Sequence, residues 1–313
     1  MTTPLTNPRN GFQGIWPAML TPLDAQLHID QAALAAHAQA LINAGCGGVT
    51  VFGTTGEGPS FSVAERKQAI EQLIARGIAA ERIMVSTSCA ALVDTLELTR
   101  HAVALGVHGC LVLPAFYFKD VSDEGILNGY IQIIEGVQRT DWRLYLYHIP
   151  QVIGVHLSHH VIAELLARYP QIVVGIKDSS CDRAHSVRLA QAFMPPLTVY
   201  VGFEPDLPTL GAMGSTGAIS GLANFLPRTV HRMVLAPQAA GTAQDASRVD
   251  ATLEALKPYA LIPALKSVMA TLRGEPGWLR VRPPLVALTP SAHTELTAQL
   301  QRAQLGTDFP THP

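Results

Sequence analysis

With 313 residues, 48% of them hydrophobic and only 15% charged, the chain has material for one large core and little for solvated tails. A formal net charge of −2 and a pI of about 6.6 argue against nucleic acid or an anionic membrane as its main partner. No uninterrupted apolar stretch reaches the ~18 residues of a membrane span, and the first ten residues, with Pro4, Pro8 and Arg9, lack the apolar core of a secretory signal, so a cytoplasmic location is expected.

In chain order, Gly14–Leu20 reads as a first strand leading into Thr21-Pro22, and Asp30 as the N-cap of a helix to Ala44. Gly48–Phe52 is a second strand, followed by the turn Gly53-Thr54-Thr55-Gly56-Glu57-Gly58 and a helix from about Val63 to Arg76. Ile83–Ser86, Gly109–Leu113 and Arg143–Tyr147 are strands three to five, each followed by a helical pattern: Leu92–Leu105, Asp123–Val137, and a helix capped by Ser158 that runs to Ala167. Strand six is the β-branched run ending in Lys177, with a helix near Ala184–Ala192. Thr198–Val201 and Gly217–Ser220 complete the set, separated by a short helix over Asp206–Met213.

Strand–helix alternation with short connections argues for parallel strands with helical crossovers, and eight such units match a closed (β/α)8 TIM barrel. A doubly wound open sheet is the competing architecture, but no G-x-G-x-x-G follows the first strand. The expected organisation is a flexible tail over 1–11, the barrel over 12–226, additional C-terminal helices over 227–305 packed on the barrel, and a frayed end over 306–313. Cys46, Cys89, Cys110 and Cys181 stand far apart without a C-x-x-C pair, and none of the twelve histidines falls in a ligand spacing such as H-E-x-x-H. His159-His160, at a helix start, reads as an exposed pair. No metal and no organic cofactor are expected.

A barrel presents its working groups at the C-terminal ends of its strands. Those ends carry the glycine-rich loop after strand two, Phe116-Tyr117 after strand four, Tyr147 at the end of strand five and Lys177 at the end of strand six. Taken singly, each has an ordinary structural use: a snorkelling lysine or a Lys177–Asp178 pair, a rim tyrosine, a βα turn using glycine for positive φ. Together they aim an amine, two phenols, two hydroxyls and a set of backbone amides at one mouth. An amine attacks a ketone only when uncharged, a state that burial among Val and Ile favours. The Gly53–Gly58 amides suit a carboxylate, and Tyr147 suits proton transfer if its hydroxyl is held by another such as that of Thr55. These parts fit a 2-oxo acid whose ketone is attacked by Lys177, giving an iminium that serves as an electron sink.

Gly53-Thr54-Thr55-Gly56-Glu57, Tyr147-His148-Ile149-Pro150 and Gly175-Ile176-Lys177-Asp178, in that order, resemble three motifs of the dihydrodipicolinate synthase / N-acetylneuraminate lyase family of class I aldolases. The resemblance runs over about residues 12–300. It implies that Lys177 forms the imine, that Thr54 and Thr55 within Gly53–Gly56 hold a pyruvate-type carboxylate, and that Tyr147 shuttles protons with Thr55 and Tyr117. It further implies that Tyr117 crosses from a neighbouring subunit of a homotetramer, a dimer of dimers, and that Gly202 and Ile219 line the pocket through their backbones. The partners implied are small molecules, a 2-oxo acid and an aldehyde.

Departures from the family pattern narrow the substrate. Dihydrodipicolinate synthases carry an arginine two residues after the proline of the tyrosine motif, for a second carboxylate; here that place holds Val152. The acidic pair of sialic-acid lyases appears as Glu204-Pro205, and their serine as Gly221. Ser220-Gly221-Leu222-Ala223-Asn224-Phe225 looks more like aldolases acting on 2-keto-3-deoxy sugar acids, for which His148, Gln151, Glu204 and Ser220 offer polar contacts. The expected activity is reversible cleavage of such an acid to pyruvate and an aldehyde. The alternatives are dihydrodipicolinate synthase, N-acetylneuraminate lyase-like or keto-deoxy acid dehydratase activity, and, from another class, a non-catalytic oxo-acid-binding barrel.

Overall fold

A computed structural model describes residues 11–303 and Asp308. Its eight parallel strands are β1 (Gly14–Ile15), β2 (Val49–Val51), β3 (Ile83–Ser86), β4 (Gly109–Val112), β5 (Leu144–His148), β6 (Val173–Asp178), β7 (Thr198–Val201) and β8 (Gly217–Ala218). Around them lie α1 (Gln31–Asn43), α2 (Val63–Ala75), α3 (Leu92–Ala104), α4 (Asp123–Val137), α5 (Pro150–Ile153), α6 (His159–Arg168), α7 (Arg183–Phe193) and α8 (Leu207–Ala212). The C-terminal part adds α9 (Pro227–Leu235), α10 (Thr242–Leu256), α11 (Leu261–Arg273) and α12 (Pro290–Arg302).

Pairing runs β1-β8-β7-β6-β5-β4-β3-β2, and a parallel bridge between Ala18 and Thr50 closes the ring: this is a TIM barrel with additional C-terminal helices. The first strand is shorter than expected. Ladder pairing with β8 covers only Gly14–Ile15, though Ala18 N–H still donates to the Ser220 carbonyl at 2.8 Å; Pro17, which has no N–H, meets the β2 side only as an acceptor, from Thr50 N–H at 2.8 Å. Local signals set the helix starts as read: Asp30 accepts the N–H of Ala33, Ser158 that of Val161, and Ser62 forms a capping box with Glu65.

The barrel floor is an aromatic plug. Phe12 stacks on Tyr200 at 4.1 Å, Tyr200 meets Tyr145 edge-on at 5.6 Å, and the Tyr200 hydroxyl donates to the Phe12 carbonyl at 2.8 Å. A Cβ on Gly175 would come within 2.4 Å of the Tyr200 ring, so only glycine lets β6 pass that layer. The same ring excludes a side chain at Gly11, whose Cβ would lie 2.3 Å from the Tyr200 hydroxyl; this residue belongs to the plug and not to a flexible tail. Asp308 likewise departs from the expected frayed end: it is buried, and its carboxylate accepts the N–H of Thr229 at 2.8 Å. Residues 1–10, 304–307 and 309–313 of the expected tails and extension lie outside the described residues.

One buried amide latches first and last strands together. Asn224 Oδ1 accepts from the Leu20 N–H and from His37 Nε2, both at 2.9 Å, while its Nδ2 donates to the carbonyls of Ala18 and Gly221 at 2.8 Å. Burial takes the pKa of His37 from 6.5 down to about 3, with the Asn224 bond working the other way; burial also brings His108, beside the plug, to about 3. An unfolded chain binds these protons near pH 6.5, whereas the native one refuses them until far lower. The contribution of neutral His37 is therefore complete above pH 6.5 and is lost as pH falls, amounting to about 2 kcal/mol at pH 5. Urea midpoints are expected to drop between pH 6.5 and 5, and His37→Gln to flatten that slope; an unchanged slope in the variant would refute the assignment.

Candidate active site

Lys177 stands on β6 in register with Tyr147 on β5 and is only 4% exposed. Its Nζ lies 3.3 Å from the Tyr147 hydroxyl and 4.4 Å from that ring's centroid, so amine and phenol are held together in a dry interior. Strand alternation sends Asp178 the opposite way, out of the barrel, which removes the Lys177–Asp178 pair from consideration. Gly202, at the end of β7, makes room for the lysine: a Cβ there would lie 3.0 Å from Lys177 Cε and 1.9 Å from Ser179 Oγ. The N–H groups of Gly202 and Ile219 are spent on the carbonyls of Asp178 and Val201. Among the described residues neither residue's own carbonyl accepts a hydrogen bond.

The tyrosine's hydroxyl partner differs from expectation. Thr54 Oγ1, not Thr55, lies 3.3 Å from the Tyr147 hydroxyl, while Thr55 is turned toward Gly221, where a Cβ would stand 3.5 Å from its Oγ1. Adjacent residues in a tight turn point apart, and the motif alone does not say which of two threonines faces inward. The glycines here also act by close approach and not by positive φ. A Cβ on Gly58 would lie 1.9 Å from the Phe52 carbonyl oxygen and one on Gly56 2.8 Å from that of Met19, whereas Gly53 faces open space. The left-handed residues are Phe52 (φ 61°) and Glu57 (φ 56°), which bracket the loop. Among the described residues, no acceptor takes the N–H of Thr54, Thr55 or Gly56, and these amides are free for an anion.

What holds this strained loop is a residue that sequence reasoning passed over. Glu57 forms an ion pair with Lys266 of α11, both side chains fully buried, and Lys266 Nζ also donates to the Arg280 carbonyl at 2.7 Å. Burial lowers the pKa of Lys266, and Glu57 works against that. A lysine within an Ala/Leu-rich helical stretch carries no local sign of such a distant partner.

Other expected contacts fall elsewhere. His148 is not at the mouth: it lies on the outer face of β5, buried behind Tyr147, with Nδ1 2.9 Å from Asp178 Oδ1. It therefore offers nothing to a substrate, because successive strand residues alternate faces. Glu204 and Ser220 are buried and hydrogen-bonded to each other, and Glu204 Oε1 also accepts the Leu222 N–H at 3.2 Å. They brace the loops after β7 and β8. Gln151 Nε2 donates to the Ser179 carbonyl. Tyr117 is 70% exposed, its ring edge-on to an equally exposed Phe118, and so stands outside the Lys177–Tyr147–Thr54 group of its own chain. Val152 is likewise exposed. No described helix is long and apolar enough to cross a membrane.

A model of the dihydrodipicolinate synthetase family matches residues 11–303. An uncharacterized DapA-like lyase of Chloroflexus aurantiacus is 36% identical over 298 residues, 94% of this chain and 98% of that protein. A putative 2-dehydro-3-deoxy-D-gluconate aldolase of Escherichia coli, YagE, is 27% identical over 300 residues, 94% and 98% of the two chains. Among solved structures, a dihydrodipicolinate synthase from Agrobacterium tumefaciens superposes with a TM-score of 0.86 at 34% identity, covering 93% of this chain and 99% of that one. YagE in complex with pyruvate gives 0.86 at 25% identity, covering 94% and 99%.

Proposed function

This chain belongs to the dihydrodipicolinate synthetase family, and from that membership we propose a Schiff-base-forming lyase that cleaves a 2-keto-3-deoxy sugar acid to pyruvate and an aldehyde. The observation that carries the proposal is the buried Lys177 amine 3.3 Å from the Tyr147 hydroxyl, beside a loop with unspent amides.

In this mechanism the loop N–H groups and threonine hydroxyls hold the substrate carboxylate, which places the adjacent ketone over Lys177 Nζ. The amine adds to the keto carbon, and Tyr147 supplies the proton with which the oxygen departs as water, leaving an iminium. Tyr147 then takes the proton of the C4 hydroxyl as the C3–C4 bond breaks. The bonding electrons flow into the iminium as an enamine, and the aldehyde leaves. Protonation of the enamine and hydrolysis release pyruvate and restore the amine. Thr54 keeps the phenol oriented through both transfers.

Against synthase activity stands Val152, which occupies the arginine's place with an apolar, exposed side chain and gives a second carboxylate no partner. The exposed Tyr117 fits a group that completes a neighbouring subunit's site in a homotetramer, and a cytoplasmic enzyme without organic cofactor fits the chemistry. Borohydride reduction in the presence of pyruvate is the test. Mass spectrometry should find one adduct, on Lys177, and a panel of keto-deoxy sugar acids should release pyruvate. An adduct on another lysine, or turnover of aspartate semialdehyde with pyruvate and of no keto-deoxy acid, would sink the proposal.

A further inference from the structure

Behind the reactive amine, on the outer face of the barrel, lies a group of side chains that the lyase chemistry does not use. His148 of β5, Asp178 of β6 and His185 of α7 each offer a donor atom, and these atoms lie within 4.8 Å of one another. The two imidazole centroids are 4.6 Å apart. Three points so spaced have a common centre at most ~2.8 Å away, so shifts below ~1 Å bring all three donors to the ~2.0–2.2 Å of zinc–nitrogen and zinc–oxygen bonds.

We propose that His148, Asp178 and His185 bind a divalent transition metal ion of the zinc type, one imidazole nitrogen coming from each histidine and one oxygen from the carboxylate. His148 is 2% exposed and turns Nδ1 to the group, 2.9 Å from Asp178 Oδ1, while Nε2 of His185 is buried without a hydrogen-bond partner among the described residues. A buried ring nitrogen left unsatisfied is destabilising, and a Lewis acid bound to it removes that penalty. The carboxylate is held in place as carboxylates beside metals are. Asp178 Oδ2 accepts from the Ser180 and Ser186 hydroxyls, and Oδ1 from the Ser180 N–H at 3.2 Å, with His148 Nδ1 at 2.9 Å.

The exposed His156 lies 5.9 Å from His148 and the exposed His159 6.2 Å from His185, ring centre to ring centre, forming a row of imidazoles from the surface inward. Two nitrogens and one oxygen suit zinc and its neighbours in the first transition row over magnesium or calcium, which prefer all-oxygen sets. An ion here joins two strands and a helix directly behind Lys177 without entering the mouth, so its role is to fasten the scaffold. The linear sequence conceals the site because its three donors come from three elements. The inference stands apart from the assignment of substrate.

The test uses the full chain without a histidine tag, stripped with chelator and titrated with Zn²⁺ by calorimetry, then with Co²⁺ by visible absorption. Wild-type protein is expected to bind one equivalent, to melt at a higher temperature when loaded, and to give the cobalt ligand-field bands of nitrogen donors. Asp178→Asn should weaken binding by ~10–100-fold or more, and His185→Gln should abolish it. Because the cobalt spectrum is read on the wild-type chain, the test does not depend on any variant folding. Absence of stoichiometric binding, or binding unchanged in His185→Gln, overturns the proposal.

Discussion

Replacing Lys177 by alanine is expected to lower kcat by on the order of 10⁴–10⁶-fold and to abolish borohydride trapping, with secondary structure and oligomeric state unchanged. The side chain reaches the reaction through a single atom, and no other described amine shares its position beside Tyr147. Tyr147→Phe should cost ~10²–10⁴-fold, the usual worth of a positioned proton carrier, while still allowing slow adduct formation. The two threonines separate the roles. Thr54→Val, which keeps shape and loses the hydroxyl, should lower kcat about tenfold through Tyr147. Thr55→Val should act on KM for the oxo acid. If Thr54→Val leaves kcat untouched while Thr55→Val lowers it, the 3.3 Å Thr54–Tyr147 contact has been misread as functional.

The second large effect is on stability. Lys266→Ala leaves Glu57 charged and buried without its partner, in a left-handed backbone position that has no slack. Breaking one side of such a pair costs about 3–5 kcal/mol, whereas replacing both sides by apolar groups of similar volume is often neutral. Urea titration should therefore show a large loss for Lys266→Ala and a recovery of most of it in Glu57→Leu/Lys266→Met. Because Glu57 closes the Gly53–Gly58 loop, residual folded Lys266→Ala enzyme should also bind the oxo acid more weakly, seen as a raised KM. A loss below about 1 kcal/mol in the single variant would mean that water reaches Glu57 and that the loop does not depend on α11.

Strand–helix alternation, helix caps and the two-sided apolar runs belong to local chemistry, and they determined the barrel, the order of its elements and the approximate start of each helix. Because a barrel gathers strand ends, the same reading also determined that Lys177, Tyr147 and the Gly53–Gly58 loop meet. Which face each neighbour takes was decided only in three dimensions. One step along a strand carries His148 and Asp178 out of the mouth that Tyr147 and Lys177 enter, and one step along a turn exchanges Thr55 for Thr54. Contacts between distant segments were equally beyond linear reading: Glu57 with Lys266, Asn224 with His37 and Leu20, and Gly175 yielding to Tyr200. Local propensity acts over a few residues, whereas charge pairing and close packing depend on which segments the closed sheet brings together. Only the closed fold shows that Lys266, in an ordinary helix, pairs with the loop that meets Tyr147 and, through it, Lys177.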